Sequence, residues 1–164
     1  MFYLVESRIC PDTPEGFKEE LQDGETFETD FIGGSVQDCQ NWALQNQFQH
    51  KFIEQDFIAV ADTRSATDNT LMVQFYNREL NPEEPVEFEG FGVLPRESNT
   101  WVDWRVEPQR AGEVWASLFF GALEMTYPVY FGLKEELTDV NGIFNVAEAE
   151  RIVRGEATLD MFRA

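Results

Sequence analysis

Two apolar runs near the middle of the chain constrain its fold more than any other feature. Residues 57–61 form a continuous apolar run, which is typical of a central strand buried in a sheet, and residues 71–76 form a second one. The segment between them, residues 62–70, is polar and has the composition of a loop. The two strands could pair as a hairpin with a long loop or lie parallel, and the sequence leaves both arrangements open.

Weaker patterns predict further elements on both sides of this pair. The predicted strands are residues 2–9, 25–32, 86–89 and 100–106, and the predicted helices are residues 14–24, 36–49, 111–123, 128–137 and 146–154. Strands early in the chain and helices late predict an α+β fold. We expect a single compact domain over residues 1–164, with a mainly antiparallel sheet, helices packed on one face and a mostly helical C-terminal third.

Three of the predicted helices begin with a capping signal. A side chain that accepts from a backbone N–H of the first turn stabilises a helix start, and proline fits the first helical position. The signal formed by Ser35 and Asp38 is a loose match to a capping box, because Asp stands where Glu or Gln is usual. The three pairs are Ser35 with Asp38, Asn145 with Glu148, and Thr13 with Pro14.

The charge of the chain excludes several classes of function. Its 31 Asp and Glu residues against 12 Lys and Arg give a net charge of -19 and a pI of about 4.2. Direct nucleic-acid binding needs clustered cations, and anionic membrane surfaces would repel such a chain. The chain is also 43% hydrophobic with 15 Phe residues, so it can bury a core and is not a disordered acidic tail.

The sequence predicts a reduced, cytoplasmic environment. The N-terminus has no basic segment followed by an apolar stretch, so we expect no signal peptide. The most apolar run, residues 114–123, is far shorter than the roughly 20 residues that a membrane span needs. Cys10 and Cys39 stand in no metal or redox spacing, so we expect two reduced thiols, with a single disulfide as the alternative.

No motif for catalysis or metal binding is strong. A Ser-His-Asp or Cys-His system would have to use His50, the single histidine, and no nucleophile signature accompanies it. Asp62 and Asp68 share one loop but lack the spacing of a calcium-binding loop. Glu124, inside an apolar segment, is the carboxylate to inspect for a raised pKa. We therefore predict no catalytic residue, no metal ligand and no cofactor.

The distribution of the acidic residues is the feature that bears most on function. Residues 1–30 hold nine carboxylates against Arg8 and Lys18, and residues 79–107 hold eight against Arg96 and Arg105. Carboxylates at helical or strand spacing lie about 6 Å apart, similar to the spacing of phosphates along a DNA strand. We predict that a partner protein contacts the following acids: Glu15, Glu19, Glu20, Glu83, Glu84, Glu87 and Glu89.

These observations favour a non-enzymatic binding protein that occupies a basic, nucleic-acid-binding site on another protein. A DNA-mimic anti-defence inhibitor of a phage or mobile element, or an immunity protein against a basic nuclease toxin, has this character. The alternatives are a carboxylate-dependent hydrolase and an assembly or scaffold domain with incidental acidity. The charge could also serve solubility alone, or adaptation to salt, since Lys occurs only three times.

Overall fold

The structure is a computed structural model that describes residues 2–46, 53–54, 56–78 and 85–157. A three-stranded antiparallel sheet and a two-stranded ribbon combine with five helices among these residues. In chain order the elements are α1 (Val36–Gln45), β1 (Phe57–Val60), α2 (Ser65–Asp68), β2 (Leu71–Asn77), β3 (Glu87–Phe88), β4 (Gly92–Val93), β5 (Thr100–Val106), α3 (Ala111–Phe120), α4 (Leu123–Tyr127) and α5 (Val146–Val153).

The sheet has the strand order β1-β2-β5, with β2 paired on both sides. Val73 of β2 lies opposite Ala59 of β1 and opposite Trp104 of β5. The antiparallel pairing resolves the choice left open by the sequence, because β1 and β2 form a hairpin. The polar connection between them contains the short helix α2, which ends at Asn69 in the left-handed conformation, with φ 55°. Asparagine tolerates this conformation better than most residues.

The core lies between the sheet and the C-terminal helices. Because side chains alternate along a strand, Val73, Phe75 and Trp104 share one face, and they form one buried cluster with residues of α3 and α5. The Trp104 ring contacts Tyr130 edge-on, and its indole N–H donates to the Tyr130 carbonyl at 3.0 Å. On the opposite face, Gln74 accepts a hydrogen bond from Gln40 of α1 at 2.7 Å. The predicted α+β fold with a helical C-terminal third is confirmed.

Proline interrupts the helical C-terminal third. The prediction of a helix over residues 128–137 is wrong, because the chain widens there into a π turn, Pro128–Gly132, that continues α4. Proline has no backbone N–H to continue the α-helical ladder, and the Leu133 N–H donates to the Pro128 carbonyl at 2.9 Å instead. Gly121 follows the last residue of α3 in an extended conformation, and a Cβ at this position would lie 2.4 Å from the Ser117 carbonyl oxygen, so the site requires glycine.

The N-terminal segment, residues 2–34, which we call the N-terminal layer, differs most from expectation. The predicted strands over residues 2–9 and 25–32 are absent, and a single bridge joins Leu4 to Lys18 in this layer. Its aromatic rings pack on neighbouring elements: Phe2 lies 6.2 Å from Phe57, and Phe31 lies 5.9 Å from Trp42, between ring centroids. These apolar residues therefore reflect rings that pack on the protein, and not strands paired in a sheet.

The helix-capping predictions have different outcomes. Ser35 and Asp38 form a complete capping box at the start of α1, which ends at Gln45 within the described residues. The Asn145 side chain accepts from the Glu148 N–H at 3.0 Å at the start of α5. Thr13 makes no side-chain cap, and the predicted helix after it is only a 3₁₀ turn, Pro14–Gly16.

Candidate acidic interaction surface

Three of the predicted contact acids lie in the N-terminal layer. Glu15, Glu19 and Glu20 are all exposed. Glu15 belongs to the 3₁₀ turn, whereas Glu19 and Glu20 follow in irregular chain, so the predicted i,i+4 spacing of Glu15 and Glu19 on one helix is wrong. Hydrogen bonds from its own backbone amide and from the Thr13 hydroxyl hold the pKa of Glu15 below its usual range. Its carboxylate is therefore charged at neutral pH.

Lys18 joins distant parts of the N-terminal layer beneath these acids. Its ammonium group pairs with Glu25 and lies 3.4 Å from a Glu6 carboxylate oxygen. The hydrogen bond with Glu25 raises the pKa of Lys18 and lowers the pKa of Glu25. The Lys18 carbonyl also accepts from the Leu4 N–H at 2.7 Å. The single lysine of this layer is thus engaged by two carboxylates and does not offset its outer acids.

A second set of contacts joins the end of the N-terminal layer to α1. The Trp42 indole N–H donates to the Arg8 carbonyl at 2.8 Å, and the Arg8 guanidinium lies over the Phe31 ring, 4.7 Å from its centroid. The Arg8 amide donates to Asp30 at 3.0 Å, which lowers the pKa of that carboxyl. Side chains from α1 therefore fix the position of a segment that forms no sheet of its own.

The remaining predicted contact acids belong to the region around β3. Glu87 is exposed and Phe88 is 8% exposed, so their side chains alternate as the sequence predicts. Glu89 is exposed in the turn that leads to β4. Glu83 and Glu84 lie outside the described residues. Among the described acids, the structure thus exposes all five predicted contact residues but divides them between two segments.

Ion pairs occupy most cations in the part of the chain that the structure describes. Each of the paired cations binds a carboxylate of this chain, so it contributes little positive potential to the surface. The cations in such pairs are Lys18, Arg64, Arg78, Arg105, Arg110, Lys134, Arg151 and Arg154. The excess of negative charge among the described residues is therefore carried by carboxylates that these cations do not neutralise.

The loop considered for calcium contains an ion-pair network instead. Arg105, 8% exposed, donates to both carboxylate oxygens of Asp62, and its guanidinium also contacts Ser65. This hydrogen-bonded pairing holds the pKa of Asp62 far below its usual range. Asp68 pairs with Arg64 and accepts from the Thr70 hydroxyl at 2.6 Å. The guanidinium groups of Arg105 and Arg64 thus occupy the carboxylates that a calcium ion would need.

A buried polar cluster that the sequence did not indicate joins α3, the π turn and α5. The Ser117 hydroxyl and the Tyr130 hydroxyl both donate to one oxygen of Glu150, at 2.5 and 2.6 Å. Burial, and then the hydrogen bond to Glu150, raises the pKa of Tyr130. These residues are 13 to 33 positions apart, so only the helix packing brings them together. The cluster joins the packed helices, and none of its three residues lines a cavity that the structure describes.

The carboxylates offer little support for acid–base chemistry. A concavity of about 400 Å³ is lined by Glu107, Arg110 and Asp139. Backbone N–H groups of the following turn donate to Asp139 and lower its pKa, the opposite of what a general acid needs. Glu124 is exposed near the start of α4. Among the described residues no group of three His, Cys, Asp or Glu is arranged to hold a metal ion. His50 lies outside the described residues.

Comparisons with known proteins identify no relative: no family model, no curated protein and no solved structure matches the chain. No helix within the described ranges is long and apolar enough to cross a membrane. Cys10 and Cys39 are both free thiols.

Proposed function

We propose that this chain is a non-enzymatic, cytoplasmic binding protein that occupies a basic, nucleic-acid-binding site on a partner protein. A DNA-mimic inhibitor of the anti-restriction or anti-CRISPR type, from a phage or mobile element, fits this chemistry. An immunity protein against a basic nuclease toxin would use the same surface. The observation that carries the proposal is the separation of charge: intramolecular pairs engage most of the described cations, Lys18 of the N-terminal layer among them, while Glu15, Glu19 and Glu20 face solvent.

Exposed apolar side chains in the same N-terminal layer support the same function. Ile9 and Ile32 of the N-terminal layer are 81% and 75% exposed, and Leu21, next to Glu20, is 42% exposed. In protein interfaces, charges mainly raise the association rate and select the partner, whereas buried apolar side chains supply most of the affinity. A surface that offers both is suited to a protein partner more than to a small ion.

The first test is competition with DNA for a shared site. The immobilised chain is exposed to a lysate of its native host, and the retained proteins are challenged with double-stranded DNA at constant ionic strength. We expect the duplex to release the partner, and we expect retention to fall steeply with salt because the contact is electrostatic. Retention that neither DNA nor salt reduces would contradict the proposal.

A matched pair of variants locates the contact. The triple variant Glu15→Gln, Glu19→Gln, Glu20→Gln removes three charges from the N-terminal layer. The control Glu124→Gln, Glu135→Gln, Glu136→Gln removes three exposed charges from the helical third. We expect the first variant to slow association with the captured partner about 10-fold and the control to change it much less. Equal effects of the two variants would mean that total charge, and not this surface, determines binding.

A further inference from the structure

A cavity of the described structure lies between the N-terminal layer, α1, β1 and the start of α3. Its volume is about 500 Å³, within the range of small-molecule sites in proteins, which is roughly 300–1,000 Å³. Phe17 and Phe31 of the layer and Phe57 of β1 contribute aromatic rings to its walls. Trp42 of α1 and Trp115 of α3 complete the lining described here. The cavity therefore forms only when the layer packs on the folded core.

The walls of this cavity are apolar, and their contacts fix several of the rings. Trp42 is held through its indole N–H by the Arg8 carbonyl, and Phe57 contacts the rings of Phe2 and Phe119 with centroids 6.2 Å away. The Thr29 hydroxyl, a polar group of the lining, donates to the Val5 carbonyl at 2.7 Å and is satisfied within the protein. A ligand here would meet aromatic and aliphatic surface over most of its length.

One ionisable carboxylate gives the cavity its polarity. Glu54 is the only Asp, Glu, Lys, Arg or His among the described lining residues, and it remains exposed to solvent, which places it at the rim. Partial desolvation raises the pKa of its carboxyl group. A positive group beside Glu54 would stabilise the charged form of that carboxylate. An anionic group would meet this carboxylate and the overall charge of -19, and no cation stands among the described lining residues to offset them. Arg78, whose charge acts on Glu54, is paired with Asp56.

We propose that this cavity binds a small amphiphilic cation, with an apolar body between the aromatic walls and an amine at the rim beside Glu54. The electron-rich faces of the lining rings also favour a cation over an anion. Fatty acids and phosphorylated ligands are disfavoured by the same charge argument. The inference concerns the cavity alone and is independent of the acidic surface proposed above.

The test uses three probes with the same ten-carbon chain: decylamine, decanol and decanoate, each below the concentration at which it aggregates. Binding is followed by calorimetry and by the fluorescence of Trp42 and Trp115, which line the cavity. We expect decylamine to bind at least about 10-fold more tightly than decanol, and decanoate to bind weakest. Equal affinity for the three probes, or no binding of any, would overturn the proposal.

Variants separate the cavity from the general negative charge of the surface. Glu54→Gln should weaken decylamine about 10-fold and leave decanol unchanged, whereas Glu124→Gln, with the same change of charge at an exposed helix position, should change neither. Ala59→Trp, at a lining position, should block all probes, and Ala116→Trp, at an exposed position of α3 outside the lining, should not. Decylamine binding that survives Ala59→Trp, or that falls equally in both glutamate variants, would refute the cavity as its site.

Discussion

Arg105 shows how a single residue can depend on one partner. Its guanidinium is 8% exposed and is bound through two oxygens by Asp62. We expect Asp62→Asn to reduce the free energy of unfolding by about 2 kcal/mol, because a hydrogen-bonded charged group loses its counter-charge. Urea unfolding at neutral pH measures this loss. The control is Asp103→Asn, on the same strand as Arg105, which removes an exposed carboxylate 3.6 Å from Lys134. This substitution should cost less than about 0.5 kcal/mol.

The pairing of Asp62 with Arg105 also makes the stability of the protein depend on pH, with a defined sign. The pKa of Asp62 is lowered by folding from its ordinary value of 3.8, so its stabilising contribution is fully present above that value. It is lost as the pH falls below 3.8 towards the pKa in the folded state. The stability difference between the native chain and Asp62→Asn should therefore stay constant from pH 7 to about pH 5 and shrink in stronger acid. A difference that grows on acidification would contradict this assignment.

At the residue scale, the sequence indicated which side chains are charged but not which residues of the chain they pair with. The sequence correctly placed Asp62 and Asp68 in one connection, and the only ligand that it suggested for them was a calcium ion. Arg105 lies 43 positions away on β5, and no local pattern indicates that the sheet brings it opposite Asp62. The exposure of Glu15 and Glu87 could be predicted, because an isolated carboxylate has no reason to leave water.

The capping box at the start of α1 gives a test for a single element. The Ser35 hydroxyl oxygen accepts from the Asp38 N–H at 3.2 Å, and the Asp38 carboxylate accepts from the Ser35 N–H at 2.8 Å. We expect Ser35→Ala to lower the free energy of unfolding by about 1 kcal/mol, because a backbone donor of the first turn loses its acceptor. Denaturant unfolding checks the value.

An exposed serine outside the helices provides the comparison. Ser98→Ala, in the irregular chain before β5, should change stability by less than about 0.5 kcal/mol. If Ser35→Ala were as neutral as this control, the capping box would contribute nothing measurable to the folded state.

Elements with a local cause could be predicted, and those set by tertiary contacts could not. The start of α1 follows from Ser35 and Asp38, and the strands β1 and β2 follow from two apolar runs, although the runs leave open whether these strands pair as a hairpin. The sequence also predicts a strand over residues 2–9, but in this segment only Leu4 forms a bridge, to Lys18, and its rings pack without joining a sheet. The π turn could not be predicted because proline is also typical of a first helical position, so Pro128 predicts the start of a new helix.

At the scale of the whole molecule, the net charge of -19 opposes compaction. Salt screens this repulsion, so raising NaCl from about 0.05 to 0.5 M should increase the melting temperature by about 2–4 °C, equivalent to about 1 kcal/mol. Calorimetric melting curves measure the change. The triple variant Glu124→Gln, Glu135→Gln, Glu136→Gln should melt higher at low salt and respond less to NaCl.

Two outcomes would alter this interpretation. A melting temperature that falls with salt would mean that the internal ion pairs outweigh the repulsion between carboxylates. An increase that continues steeply into molar salt would favour adaptation to a saline environment over a surface shaped for a partner.

The fold class could be predicted from the order of elements, and the excess of negative charge could be read directly. The cavity could not, because its walls combine residues from Phe2 to Trp115 that share no motif. Likewise, the sequence identified Glu15, Glu19 and Glu20 as a group but placed them on a helix that the chain does not form. Their arrangement depends on how the N-terminal layer lies on α1 and β1.

This layer also bears on how the protein can change over generations. Its outer residues make few backbone hydrogen bonds to the sheet, and its attachment rests on contacts such as those of Phe2, Lys18 and Phe31. Substitutions at the exposed positions between these contacts leave the core undisturbed, as is common for surface loops. If a binding partner changes over evolution, point mutations can therefore alter this surface to match it while the folded core stays the same.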